Sequence, residues 1–528
     1  VYRATKQWFL NVDKSGLREK ILKKIDDVKW YPDTSVKRIR AMIENRPDWC
    51  LSRQRLWGVP IPVFYCKECG DMLTTEESFD RIAGEFYKNG SDAWFEKSPE
   101  ELLGDKIKCS CGSRDFVKEN DILDVWFDSG VSNMAVLENR EELSWPADLY
   151  LEGSDQHRGW FQSSIIPAVA IKRTPPYRGV LTHGFIVDSE GKKMSKSVGN
   201  VVAPRDVIKK YGADLLRLWA ASENYFTDVK ISDEILAQMV TSYRRIRNTI
   251  RFILGNTGDY PSGKVINYSE LTDIDKYVLD RFYRTAATVR ENYEALSFHK
   301  AMRSVHDFCN LTMSSLYFNI LKDRLYVSHP DDPARRSSQY TLKMIGENLL
   351  KMLFPVLSHT AEEAWKKYIK EQDLSGDNYP ASIMLSDIEE LPGEWNNSDI
   401  RKEWDKITAL RDIVLKEVEV AKEKEVIKDP LQAVVTITAS SREIVDFLKS
   451  NESKWKEYFI VSSVVLDGPQ ELAGGQPFSG GQLKVEVTSA RGDKCVRCWL
   501  ISDTVGKDSE HKELCSRCSA IVRELEKV

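Results

Sequence analysis

The sequence predicts a multidomain chain, α/β plus all-α: a parallel-sheet layer, a helical bundle, a small α/β domain and a cysteine-bearing tail. Three observations carry this. First, short apolar runs alternate with helical stretches in LYLEG, DQHRGWFQSSIIPAVAIK and VLTHGFIVD, the strand–helix–strand pattern of a parallel sheet with crossover helices. Second, after Tyr211 apolar residues recur at three- and four-residue steps through several segments with short breaks between them, which predicts a bundle. Third, the tail carries Cys495-x-x-Cys498 and Cys515-x-x-Cys518, close to the spacing of zinc ribbons.

Length and composition bound the rest. The 528 residues allow roughly three or four domains of about 150 residues. A chain 42% hydrophobic and 30% charged is an ordinary globular one with sizeable cores. Its net charge of −5 leaves nucleic-acid binding to local basic faces. No apolar run approaches the roughly 20 residues of a bilayer span, so no membrane partner is expected. Eight of the ten cysteines fall in two clusters, leaving Cys50 and Cys309. That usage suits zinc in a reducing, cytoplasmic compartment better than a disulfide framework. The opening VYRATKQWFLNV has no initiating methionine, and a piece of a longer protein is expected.

In chain order, residues 1–50 are charged and helical in pattern, ending at NRPDWC. Residues 51–125 form a connective segment in which VPIPVFYCKECG and KCSCG bracket an acidic insert. Its Cys66-x-x-Cys69 and Cys109-x-Cys111 halves each end at a glycine, Gly70 and Gly112, as zinc knuckles do; a second zinc is expected, with free thiols as the alternative. Within residues 126–210, a strand at LYLE puts Glu152 to Gln156 at its carboxyl end, where open parallel sheets bind ligands. Glu152 there could receive an ammonium group, and Asp155 and Gln156 could bond ribose hydroxyls or a carbonyl. Plainer readings stand beside some of the candidates here: Asp155 as a helix N-cap, Trp126 and Trp160 as core residues rather than pocket walls, His183 as a core histidine rather than a phosphate contact.

The stretch GKKMSKSVGN follows. Lys193, Ser195 and Lys196 lie on a glycine-flanked segment without helical or strand period, suited to close on a polyphosphate or simply to sit in solvent. Residues 211–430 contain ISDEILAQMVTSYRRIRNTIRFIL, an amphipathic helix with Ser232 as its N-cap. Residues 431–490 hold three strand-like runs, with GGQPFSGGQ as a hairpin connection. Residues 491–528 form the tail, whose four thiolates leave no open metal position, so its zinc is structural.

WCLSRQRLWGVPIPVFYC, DILDVWFDSG, YLEGSDQHRGWFQSS and GFIVDSEGKKMSKSVGN resemble the signature segments of class I aminoacyl-tRNA synthetases, and more narrowly of the bacterial isoleucyl kind. The match continues through ADLLRLWAASENYFTDVKIS to a CVRCW tail similar to that family's terminal zinc finger. The resemblance implies that residues 1–50 re-enter the catalytic domain from an editing insertion and that 126–210 are the second half of its Rossmann-type sheet. It makes 211–430 an anticodon-binding bundle. It also implies activation of isoleucine by ATP with Mg, transfer to tRNA(Ile), and a monomer. By position, Lys193, Ser195 and Lys196 are catalytic; Glu152, Gly153, Asp155, Gln156, His183 and Lys196 hold ATP or the adenylate; Trp126 and Trp160 border the amino-acid pocket. Arg244, Arg245 and Arg247 would face tRNA phosphates, or else form a solvated face.

The sequence departs from the family in three ways. It has no HIGH-type motif, no editing insertion, and Leu500 where a histidine is expected. Isoleucine and valine differ by one methylene, worth only about 1–3 kcal/mol, a limit for which this family is the usual worked example. A carboxyl-terminal half that alone neither activates isoleucine nor proofreads is therefore expected. Alternatives are a valyl or leucyl sister enzyme, or a non-catalytic tRNA-binding module.

Overall fold

The computed structural model describes residues 5–372, 374, 379–470, 472 and 474–527. Val1–Ala4, the start of the first segment, and Val528, the end of the tail, lie outside the described residues. The chain divides into two compact units, Val1–Lys193 with Tyr225–Lys230, and Met194–Asn224 with Ile231–Val528.

After a short antiparallel pairing segment, Phe9–Leu10 against Trp49–Cys50, the first unit has α1 (Leu17–Lys24), β1 (Lys29–Tyr31) and α2 (Ser35–Glu44). The cysteine-bearing stretch follows with β2 (Phe64–Cys66), β3 (Met72–Leu73), α3 (Glu76–Asn89) and β4 (Phe116–Lys118). Then come α4 (Val125–Leu137), β5 (Tyr150–Gly153), α5 (Trp160–Lys172) and β6 (Gly179–His183). The short parallel pair β7 (Ile186–Val187) and β8 (Val229–Lys230) completes the unit.

The parallel sheet has the order β1–β6–β5. Gly179 to Thr182 of the central strand β6 are all buried, as a strand covered on both faces requires. Helix α5 reads apolar on every side because Phe161 through Val169 are buried without a break, the pattern of an enclosed helix. Pro167 within it lacks the N–H that would bond the Ser163 carbonyl four residues back. Helix α4 comes in against that carbonyl: a Cβ on Gly130 would lie 2.2 Å from Ser163 O, so only glycine fits. The cysteine-bearing stretch has its own core, with Phe64, Trp94, Leu102 and Phe116 around the antiparallel sheet β3–β2–β4.

The second unit runs through α6 (Pro204–Tyr211), α7 (Ala213–Ser222), α8 (Asp233–Thr257), α9 (Asp273–Glu294) and α10 (Phe298–Asp307). A π-helical stretch, Phe308–Tyr317, joins α10 to α11 (Phe318–Tyr326). Helices α12 (Pro333–Leu353), α13 (Ser358–Gln372) and α14 (Ser398–Glu423) complete the bundle. Ser232 caps α8 as expected, its Oγ accepting the Ile235 N–H at 3.3 Å. Leu236, Ile246, Ile250 and Ile253 form the buried face of α8.

The small domain consists of β9 (Ala433–Ala439), α15 (Arg442–Ser450), α16 (Glu452–Phe459), β10 (Ser463–Asp467), β11 (Gln476–Phe478) and β12 (Gly481–Ser489). Its sheet, β10–β9–β12–β11, is mixed, and the expected hairpin closes between Phe478 and Gly481. The bundle and this domain share one hydrophobic core. The tail adds β13 (Asp493–Lys494), β14 (Ile501–Ser502) and α17 (Ser516–Leu525).

Candidate active site and metal centres

Strand β5 ends at Gly153, a 3-10 turn spans Ser154–His157, and α5 begins at Trp160. The helix thus starts later than DQHRGWF predicts, and Asp155 is not its cap. The N-cap is Gly159, and from the preceding turn Gln156 Oε1 accepts the Trp160 N–H at 3.0 Å. Asp155 stays exposed, and its carboxylate accepts from Gln156 Nε2 at 3.3 Å. Glu152 is exposed, bonded to the Gly153 N–H at 3.1 Å. A Cβ on Gly153 would lie 2.8 Å from Asp155 Oδ1, so the turn is closed up against the strand end.

The two tryptophans differ. Trp126 is 43% exposed and is not a core residue. Its ring edge lies over Gly159, where a Cβ would meet it at 3.0 Å and Gln156 Oε1 at 2.5 Å. Trp160 is half-buried, stacked on Tyr150 with ring centroids 4.0 Å apart, and donates from Nε1 to Ser129 O at 3.0 Å. Strand pairing puts His183 opposite Gly153. Its Nδ1 lies 2.7 Å from Gly184 O. Glu152, Gly153, Asp155, Gln156 and His183 therefore occupy the carboxyl edge of the parallel sheet, with Trp126 beside Gln156.

Two supporting residues escaped the sequence reading. His157 is buried, its Nδ1 3.0 Å from Ser154 O and its ring stacked over Trp30; burial lowers its pKa and keeps the imidazole neutral. It holds the turn that carries Asp155 and Gln156. Asp124 is buried, accepts from Trp49 Nε1 at 2.9 Å and pairs with Arg53 at 2.9 Å. The aspartate before the run VWFDSG was a readable N-cap signal, and Asp124 does cap α4.

The chain passes from the first unit to the second between Lys193 and Met194. Past that point the lysine-serine loop is a closed turn. Asn200 Oδ1 accepts the Ser195 N–H at 2.9 Å, Ser195 O accepts the Gly199 N–H at 3.1 Å, and the Ser195 and Ser197 hydroxyls are 3.1 Å apart. Lys193 and Lys196 are both exposed. On α8, Arg244, Arg245 and Arg247 are exposed too.

Each cysteine cluster brings four sulfurs within 4.8 Å of one another. Zn–S bonds of about 2.3 Å in a tetrahedron set sulfurs roughly 3.8 Å apart. The Cys66–Cys111, Cys69–Cys109 and Cys498–Cys515 separations are 3.6, 3.4 and 3.9 Å. Both clusters fit zinc. At the first, backbone N–H groups, that of Cys69 foremost, pull the Cys66 thiol down to about 6, towards the thiolate a metal needs.

Residues 1–232 match the family of class I tRNA synthetases for I, L, M and V, 275–437 the anticodon-binding domain of tRNA ligases, and 492–521 the zinc finger found in FPG and IleRS. The chain is 47% identical over 531 residues to the isoleucine–tRNA ligase of Caldanaerobacter subterraneus subsp. tengcongensis, covering 100% of this chain and 56% of that protein. It is 46% identical over 525 residues to that of Syntrophotalea carbinolica, covering 99% and 56%. The chain is homologous to bacterial isoleucine–tRNA ligases along its whole length. This ligase homologue spans about half the length of the curated relatives it matches. Mycobacterium tuberculosis methionyl-tRNA synthetase, solved with methionyl-adenylate, shares its fold with a TM-score of 0.50 at 18% identity, over 68% of this chain and 62% of that one. The ribbon cysteines of the ligase homologue lie inside the zinc-finger match. No helix among the described residues is long and apolar enough to cross a membrane.

Proposed function

We propose that the chain supplies the second catalytic half, the tRNA-binding bundle and the zinc ribbon of a cytoplasmic, monomeric isoleucine–tRNA ligase. The observation that carries this is the clustering of Glu152, Gln156, His183 and Trp126 at the carboxyl edge of a parallel sheet, in a chain 47% identical to such a ligase. The isoleucine carboxylate attacks the α-phosphorus of Mg-bound ATP and pyrophosphate leaves. Glu152 receives the amino-acid ammonium, Gly153, Asp155 and Gln156 hold the adenosine side, and His183 contacts ATP. Trp126 and Trp160 border the apolar side chain. Lys193 and Lys196 offset the charge that develops on the leaving pyrophosphate, and Ser195 holds the loop that presents them. Transfer to the tRNA terminus then needs mainly positioning.

Arg244, Arg245 and Arg247 face tRNA phosphates in this reading. Replacing all three by glutamine should weaken tRNA(Ile) binding and flatten its logarithmic salt dependence by about three contacts' worth, near 0.9 per contact. Filter binding across a salt series reads both quantities; an unchanged slope would assign the arginines to a solvated face. The Cys66 cluster holds the second zinc. Metal analysis of the purified chain should give one zinc per four-cysteine cluster, and Cys66→Ser should remove the first cluster's share while leaving the ribbon's.

A further inference from the structure

Among the described residues, the ribbon meets the bundle through one ion pair, a two-pronged one. Arg517 lies between two ribbon ligands, Cys515 and Cys518, on α17. Its Nη1 and Nη2 each donate at 2.7 Å to the two carboxylate oxygens of Asp323 on α11, a two-pronged fork. This geometry makes Arg–carboxylate pairs stronger and more directional than a single contact. The same residue is flanked by the ligands Cys515 and Cys518, two positions before it and one after. Four thiolates around one divalent ion leave the centre with net negative charge, so a held cation beside it favours the loaded state.

The surrounding contacts point the same way. Val327, just past α11, belongs to the ribbon's small core with the four cysteines and Leu500. The Ile501 N–H donates to Ser462 Oγ at 2.8 Å. The ribbon is therefore joined to the bundle by a hydrophobic contact and the fork, and to the small domain by the bond to Ser462; of these, the fork is the one made by a residue set between two ligands.

We propose that Arg517, clamped by Asp323, is a positioning residue that couples zinc retention in the ribbon to the ribbon's seating on α11. The fork fixes the helix that follows Cys515, its N-cap, and contains Cys518, so that half the ligand set is held from outside the ribbon. Seating slows the opening through which a competing chelator reaches the metal. By reciprocity, a loaded ribbon seats more firmly than an empty one.

The test uses the 528-residue chain loaded with zinc and a chromophoric chelator in excess. The ribbon's release phase is the one missing from Cys518→Ser. Arg517→Gln and Asp323→Asn should each speed this phase about tenfold, the lower end of what loss of an outer-shell partner does. Both should raise hydrogen exchange across residues 516–525. Asp323→Glu, which keeps the carboxylate, should stay close to the unaltered chain. Asp323 is remote in sequence from every ligand, so a merely local role for Arg517 would leave Asp323→Asn at the unaltered rate. That result, with bundle exchange unchanged as proof of folding, would overturn the proposal.

Discussion

Lys196→Ala in the full-length enzyme should lower isoleucine-dependent pyrophosphate exchange by about 10²–10³-fold, the effect of removing one preorganised charge partner from a transition state, with isoleucine binding near normal. The split follows from position. Glu152, Gln156 and Trp126 sit at the sheet edge, whereas Lys196 stands exposed on the loop. Among the described residues Lys196 is in no ion pair, while Lys192 is paired with Glu190 at 2.6 Å. A cation without a resident carboxylate partner has little to lose on meeting phosphate oxygens. The Asn200–Ser195 bond closes the turn independently of the lysine side chain, so alanine should remove the charge and leave the loop's shape. Exchange at the unaltered rate would refute the catalytic role.

What the sequence made legible was local. The cap at Ser232, the hairpin at 476–489 and the two thiol clusters each rest on residues a few positions apart, and the structure has all of them. The strand at 150–153 was legible because LYLEG is short, apolar and bounded by glycine. What escaped was decided at a distance. Lys29–Tyr31 lies in a stretch that reads as charged and helical, yet it pairs with β6 about 150 residues onward; three residues carry no period to reveal this. The helix after Gly153 was placed too early because Asp155 is a good N-cap in isolation. The closeness of Gly153 to the Asp155 carboxylate, which no linear pattern encodes, accompanies a 3-10 turn there instead. The π-helical stretch 308–317 keeps an apolar face compatible with α-helix, so its looser winding was invisible too.

Asp275 shows the same limit at larger energy, and Asp275→Ala should destabilise the bundle by about 3–5 kcal/mol, as breaking a buried charge network does. In sequence it is an ordinary acid in the first turn of α9, where the helix dipole favours one. In the fold it is fully buried. Its carboxylate accepts from Thr272 Oγ1 at 2.7 Å, Ser337 Oγ at 2.6 Å, Ser338 Oγ at 3.1 Å and the Tyr317 hydroxyl. Alanine strands these donors and removes the charge that faces Arg324, whose Nη1 lies 3.9 Å from the carboxylate. Asparagine keeps an acceptor and should cost about 1–3 kcal/mol. Because the chain has several domains, a single melting temperature would mix transitions; hydrogen exchange of α9 and α12 reads the loss locally. An alanine variant with exchange unchanged in both helices would show that the network contributes nothing. Arg324 also donates from Nη2 to Glu457 of α16 at 2.9 Å. The perturbation should therefore spread into the small domain through α16, while α15, which lacks that contact, should keep its protection.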